Sequence, residues 1–198
     1  MSSDNEIIRR SRDNPATFSE LYDRHAAIIH RYAARRVGEH AADDIMSETF
    51  LVAFERRADF DDSRDDARPW LYGIATTLLK KHARLEARAW KGLIAAGAAE
   101  LDHDAIDALG SRVDAELAVK KLASALKRMP ARDRDTLLLY AWGDLDYEGV
   151  AQALDVPIGT VRSRLNRARL TLRASTSRGQ APDKEVDHGR IDPASQGA

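Results

Sequence analysis

The sequence predicts an all-α protein: two small helical domains joined by a flexible linker, the second a helix-turn-helix domain. Three observations predict it. Apolar residues recur at three- and four-residue intervals almost throughout, and strand alternation is nearly absent. Between these stretches, residues 91–112 lose that periodicity and fill with Ala, Gly and acidic residues. The expected boundaries are 10–90 for the first domain, 91–112 for the linker and 113–174 for the second domain. Residues 175–198 hold Ser, Gly, Pro and charged residues with almost nothing to bury, so this tail is expected to be disordered.

Each helix has its own signal. From Pro15, the positions Phe18, Leu21, Tyr22, His25, Ile28, Ile29 and Tyr32 describe an amphipathic helix that stops near Gly38. A second helix is expected from about Ala42, with Asp43 and Asp44 suited to its positive end. Its apolar residues Ile45, Met46, Phe50, Val52 and Phe54 cover more than one stripe, enough for a core face and a further surface. A charged loop around Phe60 follows. The third helix has the cleanest pattern, with Trp70, Leu71, Ile74, Ala75, Leu78, Leu79 and Leu85 on its apolar side and Lys80, Lys81, Arg84 and Arg88 outside. Periodicity resumes at Val113 with Leu117, Leu122, Leu126 and Met129. Pro130 then breaks the helix, and another runs from Arg132 to Trp142, ending at Gly143.

The segment from Leu145 to Arg173 carries the functional signal. It reads as a short helix, a tight turn and a second helix in which Val161, Leu165, Ala168 and Leu172 form one apolar face. Arg162, Arg164, Arg167, Arg169 and Arg173 occupy the remaining surface with no acidic residue among them. An ordinary solvated face mixes signs, so one-signed charge on one helix points to nucleic acid. Val150, Ala151 and Leu154 face inward on the first helix. Asp155 sits in the turn, where it tolerates the left-handed conformation better than most residues. Pro157 pre-sets the entry to the second helix, and Gly159 or Thr160 is placed to cap its first turn. Such a helix docks in a DNA major groove.

Composition narrows the function classes. Lys and Arg total 31 against 32 Asp and Glu, a formal net charge of −1, so DNA binding must rest on segregated basic faces. The basic groups cluster at 68–91 and 162–178, with acidic stretches between them. There is no cysteine, hence neither a disulfide framework nor a thiolate metal site. No apolar run suits membrane insertion and the amino terminus lacks a signal-peptide core, so a cytoplasmic protein is expected. The histidines form no metal-binding pair with a carboxylate, and no glycine loop cradles a phosphate. No catalysis, metal or cofactor is expected.

FSELYDRHAAIIHRYAARRVG, AADDIMSETFLVAF and ARPWLYGIATTLLKKHAR within 18–84, with LASALKRMPARDRDTLLLYAWGDLDYEGVAQALDVPIGTVRSRLNRARLTLR at 122–173, resemble the two characteristic regions of bacterial RNA polymerase sigma factors. The resemblance is to the extracytoplasmic-function group of the sigma-70 family. It implies a protein that binds core RNA polymerase and promoter DNA and directs transcription initiation, with an anti-sigma factor as a candidate regulator. It places region 2 at 10–90, for the polymerase and the minus-ten element, and region 4 at 113–174, for the minus-thirty-five element. Arg162, Ser163, Asn166 and Arg167 are then candidate base readers. Arg164, Arg169 and Arg173 are candidate phosphate clamps, and Thr160 offers its hydroxyl or the helix terminus to a phosphate. In region 2, Lys80, Lys81, Arg84 and Arg88 form a basic edge near the minus-ten strand, with Phe60 a candidate stacking aromatic. Ala75-Thr76-Thr77 stands where the family commonly has Ala-Arg-Asn. Asp44, Glu48 and Phe50 are candidate polymerase contacts. The alternative reading is a stand-alone helix-turn-helix regulator that needs no polymerase to bind DNA.

Overall fold

A computed structural model describes residues 2–95 and 113–177, with side chains described for 2–89 and 121–175. All regular structure among them is helical. The chain begins with a helix the periodicity did not announce, α1 (Asp4–Asp13). Only two large apolar residues drive it inward, Ile7 and Ile8, and both are fully buried. The first unit therefore starts before residue 10. A 3-10 turn at Pro15–Phe18 leads into α2 (Ser19–Val37). Gly38 then takes φ +81°, a conformation that an L side chain rarely adopts, and lets the chain reverse into α3 (Glu39–Glu55). This helix starts three residues before Ala42, so Asp43 and Asp44 lie one turn inside it and Glu39 takes the terminal position.

The fourth helix, α4 (Arg68–Ala95), is the longest. Leu71, Ala75 and Leu79 are buried along it, whereas Leu85 is exposed, so the apolar stripe ends two turns sooner than the spacing predicts. It carries helix through the first five residues of the expected linker. Residues 96–112 and 178–198, where the rest of the linker and most of the tail were expected, lie outside the described residues.

The second unit comprises α5 (Val113–Arg128), α6 (Ala131–Trp142), α7 (Tyr147–Leu154) and α8 (Ile158–Ser177). Ala125 and Met129 are the buried residues of the α5 end, while Leu122, expected in the core, is substantially exposed. Val150, Val161, Leu165 and Ala168 are fully buried where α7 and α8 cross. The Asp146 carboxylate caps α7 by accepting the Gly149 N–H at 2.7 Å. Asp155 ends α7 in the left-handed conformation (φ 50°, ψ 55°), as its place in the turn predicts. Entry to α8 differs from the expectation. The Pro157 carbonyl accepts the Thr160 N–H at 2.8 Å, and Gly159 and Thr160 are already helical.

The two units are folded against each other. One buried cluster runs from Ile74 and Leu78 of α4 through Leu138 and Leu139 of α6 to Val150 and Leu165. At Gly73 of α4 an added Cβ would stand 2.6 Å from the Ala153 carbonyl oxygen of α7, so glycine permits this approach. Tyr72 packs beside Gly143, and the Arg35 guanidinium lies 5.6 Å from the centre of the Trp142 ring.

Candidate nucleic-acid and polymerase interfaces

The exposed side of α8 lies opposite its buried Val161–Leu165–Ala168 stripe, as a 3.6-residue period requires. Arg162, Ser163, Asn166, Arg169 and Arg173 are exposed on it, with Thr160 and Arg164 half-buried. Their arrangements differ. The Arg167 Nε and Nη2 donate to the two carboxylate oxygens of Asp133 at 3.0 and 2.9 Å, a bidentate clamp from α8 to the first turn of α6. Asp133 is itself almost fully buried, and its bond to Arg167 outweighs burial and holds its carboxyl below the usual range. Arg167 thus fixes how α8 sits on α6, a role its place in the sequence does not reveal. Arg169 leans back over α6 and α7, its Nη2 3.4 Å from the Tyr147 hydroxyl and its guanidinium 5.8 Å from the Tyr140 ring centre. Ser163 donates to the Thr160 carbonyl at 2.9 Å.

In the first unit, Phe60 is buried and packs its ring 5.1 Å from that of Trp70. Burial there turns the expected stacking aromatic into the floor of this end of α4, and the partly exposed ring is Trp70. Arg84 and Arg88 are exposed, while Lys80 and Lys81 are engaged. Lys81 pairs with Glu48 of α3 at 3.2 Å, joining a residue expected at DNA to one expected at the polymerase. Asp44 is exposed on α3. Phe50 is buried, its ring 4.9 Å from Tyr22, so it supports this surface from beneath. The apolar residue that shares the Asp44–Glu48 face is Leu51, more than half exposed. Its spacing of seven from Asp44 could have singled it out.

Lys80 meets a residue that the sequence did not mark. The Asp135 carboxylate of α6, almost wholly buried, accepts from Arg36 Nη2 of α2 at 2.6 Å and lies 3.3 Å from Lys80 Nζ. Arg36 Nη1 also donates to the Tyr32 hydroxyl at 3.0 Å, and that hydroxyl is 3.1 Å from the Thr76 oxygen. Burial works against the Arg36 charge, but Tyr32 and Asp135 outweigh it and leave its pKa raised. Among the described residues, no group of His, Asp and Glu is arranged to hold a metal ion, and no helix is long and apolar enough to cross a membrane.

The α7–turn–α8 geometry and its basic outer face define a helix-turn-helix DNA-binding protein. Comparison with known proteins narrows the class. Residues 21–89 match the family described as Sigma-70 region 2, and residues 120–172 match Sigma-70, region 4. The chain is 30% identical over 159 residues to the ECF RNA polymerase sigma factor SigL of Mycobacterium tuberculosis, covering 80% of this chain and 88% of that protein. It is 25% identical over 168 residues to the ECF RNA polymerase sigma factor SigM of Bacillus subtilis, covering 82% and 97%. Its fold is similar to that of CnrH in complex with the cytosolic domain of CnrY, with TM-score 0.62 at 22% identity over 89% of this chain and 99% of that one. It is also similar to RpoE of Bartonella quintana, solved with the anti-sigma factor NepR, with TM-score 0.58 at 20% identity over 81% and 96%. The chain belongs to the extracytoplasmic-function sigma factors of the sigma-70 family. It binds RNA polymerase and DNA, directs promoter recognition and is a non-catalytic subunit. That function supersedes the stand-alone regulator.

Proposed function

We propose that the two units divide promoter recognition between them, α8 reading the duplex minus-thirty-five element and the α4 end of the first unit engaging the minus-ten element. One observation carries this reading: α8 exposes Arg162, Ser163 and Asn166 beside one another on a face backed by a fully buried stripe. Arginine pairs bidentately with guanine and asparagine with adenine, so Arg162 and Asn166 supply base discrimination. Arg164, Arg169 and Arg173 serve phosphates and set register, with Thr160 at the helix entry. Arg167 also faces the groove, but its bidentate tie to Asp133 gives it a positioning part in addition. Arg84 and Arg88 line the minus-ten path. Asp44, Glu48 and Leu51, backed by Phe50, form the polymerase-docking face of α3. The work is cytoplasmic, since that is where polymerase and promoter meet.

An inhibitory protein partner belongs to this reading, on the precedent of the Bartonella relative's complex with an anti-sigma factor. In vitro transcription with core enzyme on a genomic template library tests the whole proposal. Arg162→Ala should lower initiation in a manner that depends on the upstream element while core association persists. Glu48→Lys should weaken core association and spare the DNA-reading surface of the second unit. If both variants damage the same step equally, the division of labour is wrong.

A further inference from the structure

The Asp135 carboxylate sits at the seam between the two units. It is 1% exposed, on the second unit, yet both of its cationic partners belong to the first. Arg36 is nearly buried and pre-aimed: its Nη1 is tethered to the Tyr32 hydroxyl, which is in turn within hydrogen-bond distance of Thr76, leaving Nη2 to meet the anion. Lys80 closes on the other carboxylate oxygen. That oxygen, Oδ2, is buried and has no hydrogen-bond partner beyond this ionic contact. A buried ion pair with an incompletely satisfied oxygen contributes little net stability, because desolvation offsets much of the attraction. The pair therefore does not by itself hold the units closed, which their shared apolar cluster does, but removing the anion alone strands two cations at the seam and works against closure.

The surroundings show what closure covers. Trp70, Gly73 and Thr77 of α4 share one groove with Gln152, Ala153 and Asp155 at the end of α7. The face of α4 next to the basic edge is therefore turned toward the second unit. A nucleic-acid strand running along it must take the place of α7, and its backbone brings a negative charge to where Asp135 withdraws.

We propose that Arg36 and Lys80 form a phosphate-binding site for the promoter strand, and that Asp135 occupies it as an internal stand-in for phosphate while the two units are closed. Closure and minus-ten engagement then exclude each other, and DNA bound along α4 holds the chain open. This rests on the assignment of α4 to the minus-ten element. It adds Arg36, on a helix not otherwise given a nucleic-acid role, and it gives Asp135 a regulatory one.

The chain has no cysteine, so Asp23→Cys in α2 and Glu148→Cys in α7, both at exposed positions, allow a donor and acceptor dye to report the separation of the units. The probe is a 20-nucleotide single-stranded DNA of random sequence, since a phosphate contact carries no sequence information. In the full chain, Asp135→Asn should lower transfer between the dyes and raise affinity for this strand several-fold. Adding Arg36→Gln or Lys80→Gln should remove the gain, and each should reduce the slope of log affinity against log salt by about 0.7, the value for one single-strand phosphate. If Asp135→Asn opens the chain and affinity does not rise, the cations do not take phosphate and the proposal fails. If neither quantity changes, there is no stand-in. Where Asp135→Asn lowers helicity by circular dichroism, the native holoenzyme decides: Arg36→Gln must flatten the salt dependence of promoter binding, and an unchanged slope overturns the site. That last outcome leaves the upstream-element test with Arg162→Ala untouched, so the two readings fail separately.

Discussion

Asp4→Asn should destabilise the chain by about 2 kcal/mol at pH 7, by an amount that disappears in acid. Asp4 anchors α1 to the rest of the first unit. Its carboxylate accepts from Arg24, from His25 Nε2 at 2.8 Å and from the Ala67 N–H at 2.9 Å, and its own N–H donates to the Asp65 carbonyl at 3.1 Å. Burial works to raise this carboxyl, but His25, the Ala67 N–H and Arg24 outweigh it and bring it from 3.8 down to about 2. A shift of that size corresponds to about 2.4 kcal/mol favouring the folded, ionised form. The sign follows from the direction. A depressed carboxyl contributes its full stability above the unfolded value near 3.8 and loses it as pH falls through about 2. Roughly half should survive at pH 3 and a small fraction at pH 2. Urea unfolding followed by circular dichroism measures it. With an m-value of about 2 kcal/mol/M, the pH 7 midpoint of the variant should fall by about 1 M, and the gap should narrow between pH 4 and pH 2. Equal midpoints at pH 7, or a gap that stays constant into acid, would refute the reasoning.

Three further outcomes are expected. Gly73→Ala places a methyl 2.6 Å from the Ala153 carbonyl oxygen, so the free chain should expand in small-angle scattering while its helix content holds. Leu165→Ala empties a fully buried position between α7 and α8 and should cost about 2–5 kcal/mol in chemical unfolding. The Glu48–Lys81 pair is partly exposed and should contribute no more than about 1 kcal/mol, so Glu48→Lys should shift the thermal midpoint little while lowering core-polymerase affinity in a pull-down titration.

Helix existence was legible wherever apolar periodicity was long and regular. The α4 stripe from Leu71 to Leu79 and the α8 stripe from Val161 to Ala168 are buried where expected, because the spacing that marks a core face is the spacing that buries it, while Leu85 and Leu172 at their far ends are exposed and half-buried, respectively. The Asp155 turn was legible for a local reason, since few residues accept positive φ. What escaped was set by contacts distant in sequence. The α1 helix has just two large apolar residues, and its docking depends on Asp4 meeting His25 and Ala67, which no window around residue 4 contains. Phe60 lies between two aspartates and Phe50 on a helix with apolar residues on more than one face, and only the packing of Trp70 and Tyr22 decides that their rings turn inward. Arg167 looks like any arginine on a basic helix until Asp133 is brought beneath it. Thr77 marks the departure from the family's usual Ala-Arg-Asn, while the neighbouring Thr76 has a short side chain that fits a buried place next to the Tyr32 hydroxyl.

The continuity of the buried cluster from α4 into α6 and α8 bears on how the molecule melts. Two modules that could each have melted alone share apolar side chains, so neither retains its full interior once the other departs. Calorimetry on the free chain should record a single cooperative endotherm spanning both modules. Whatever pulls them apart leaves each one smaller, wetter and easier to unfold.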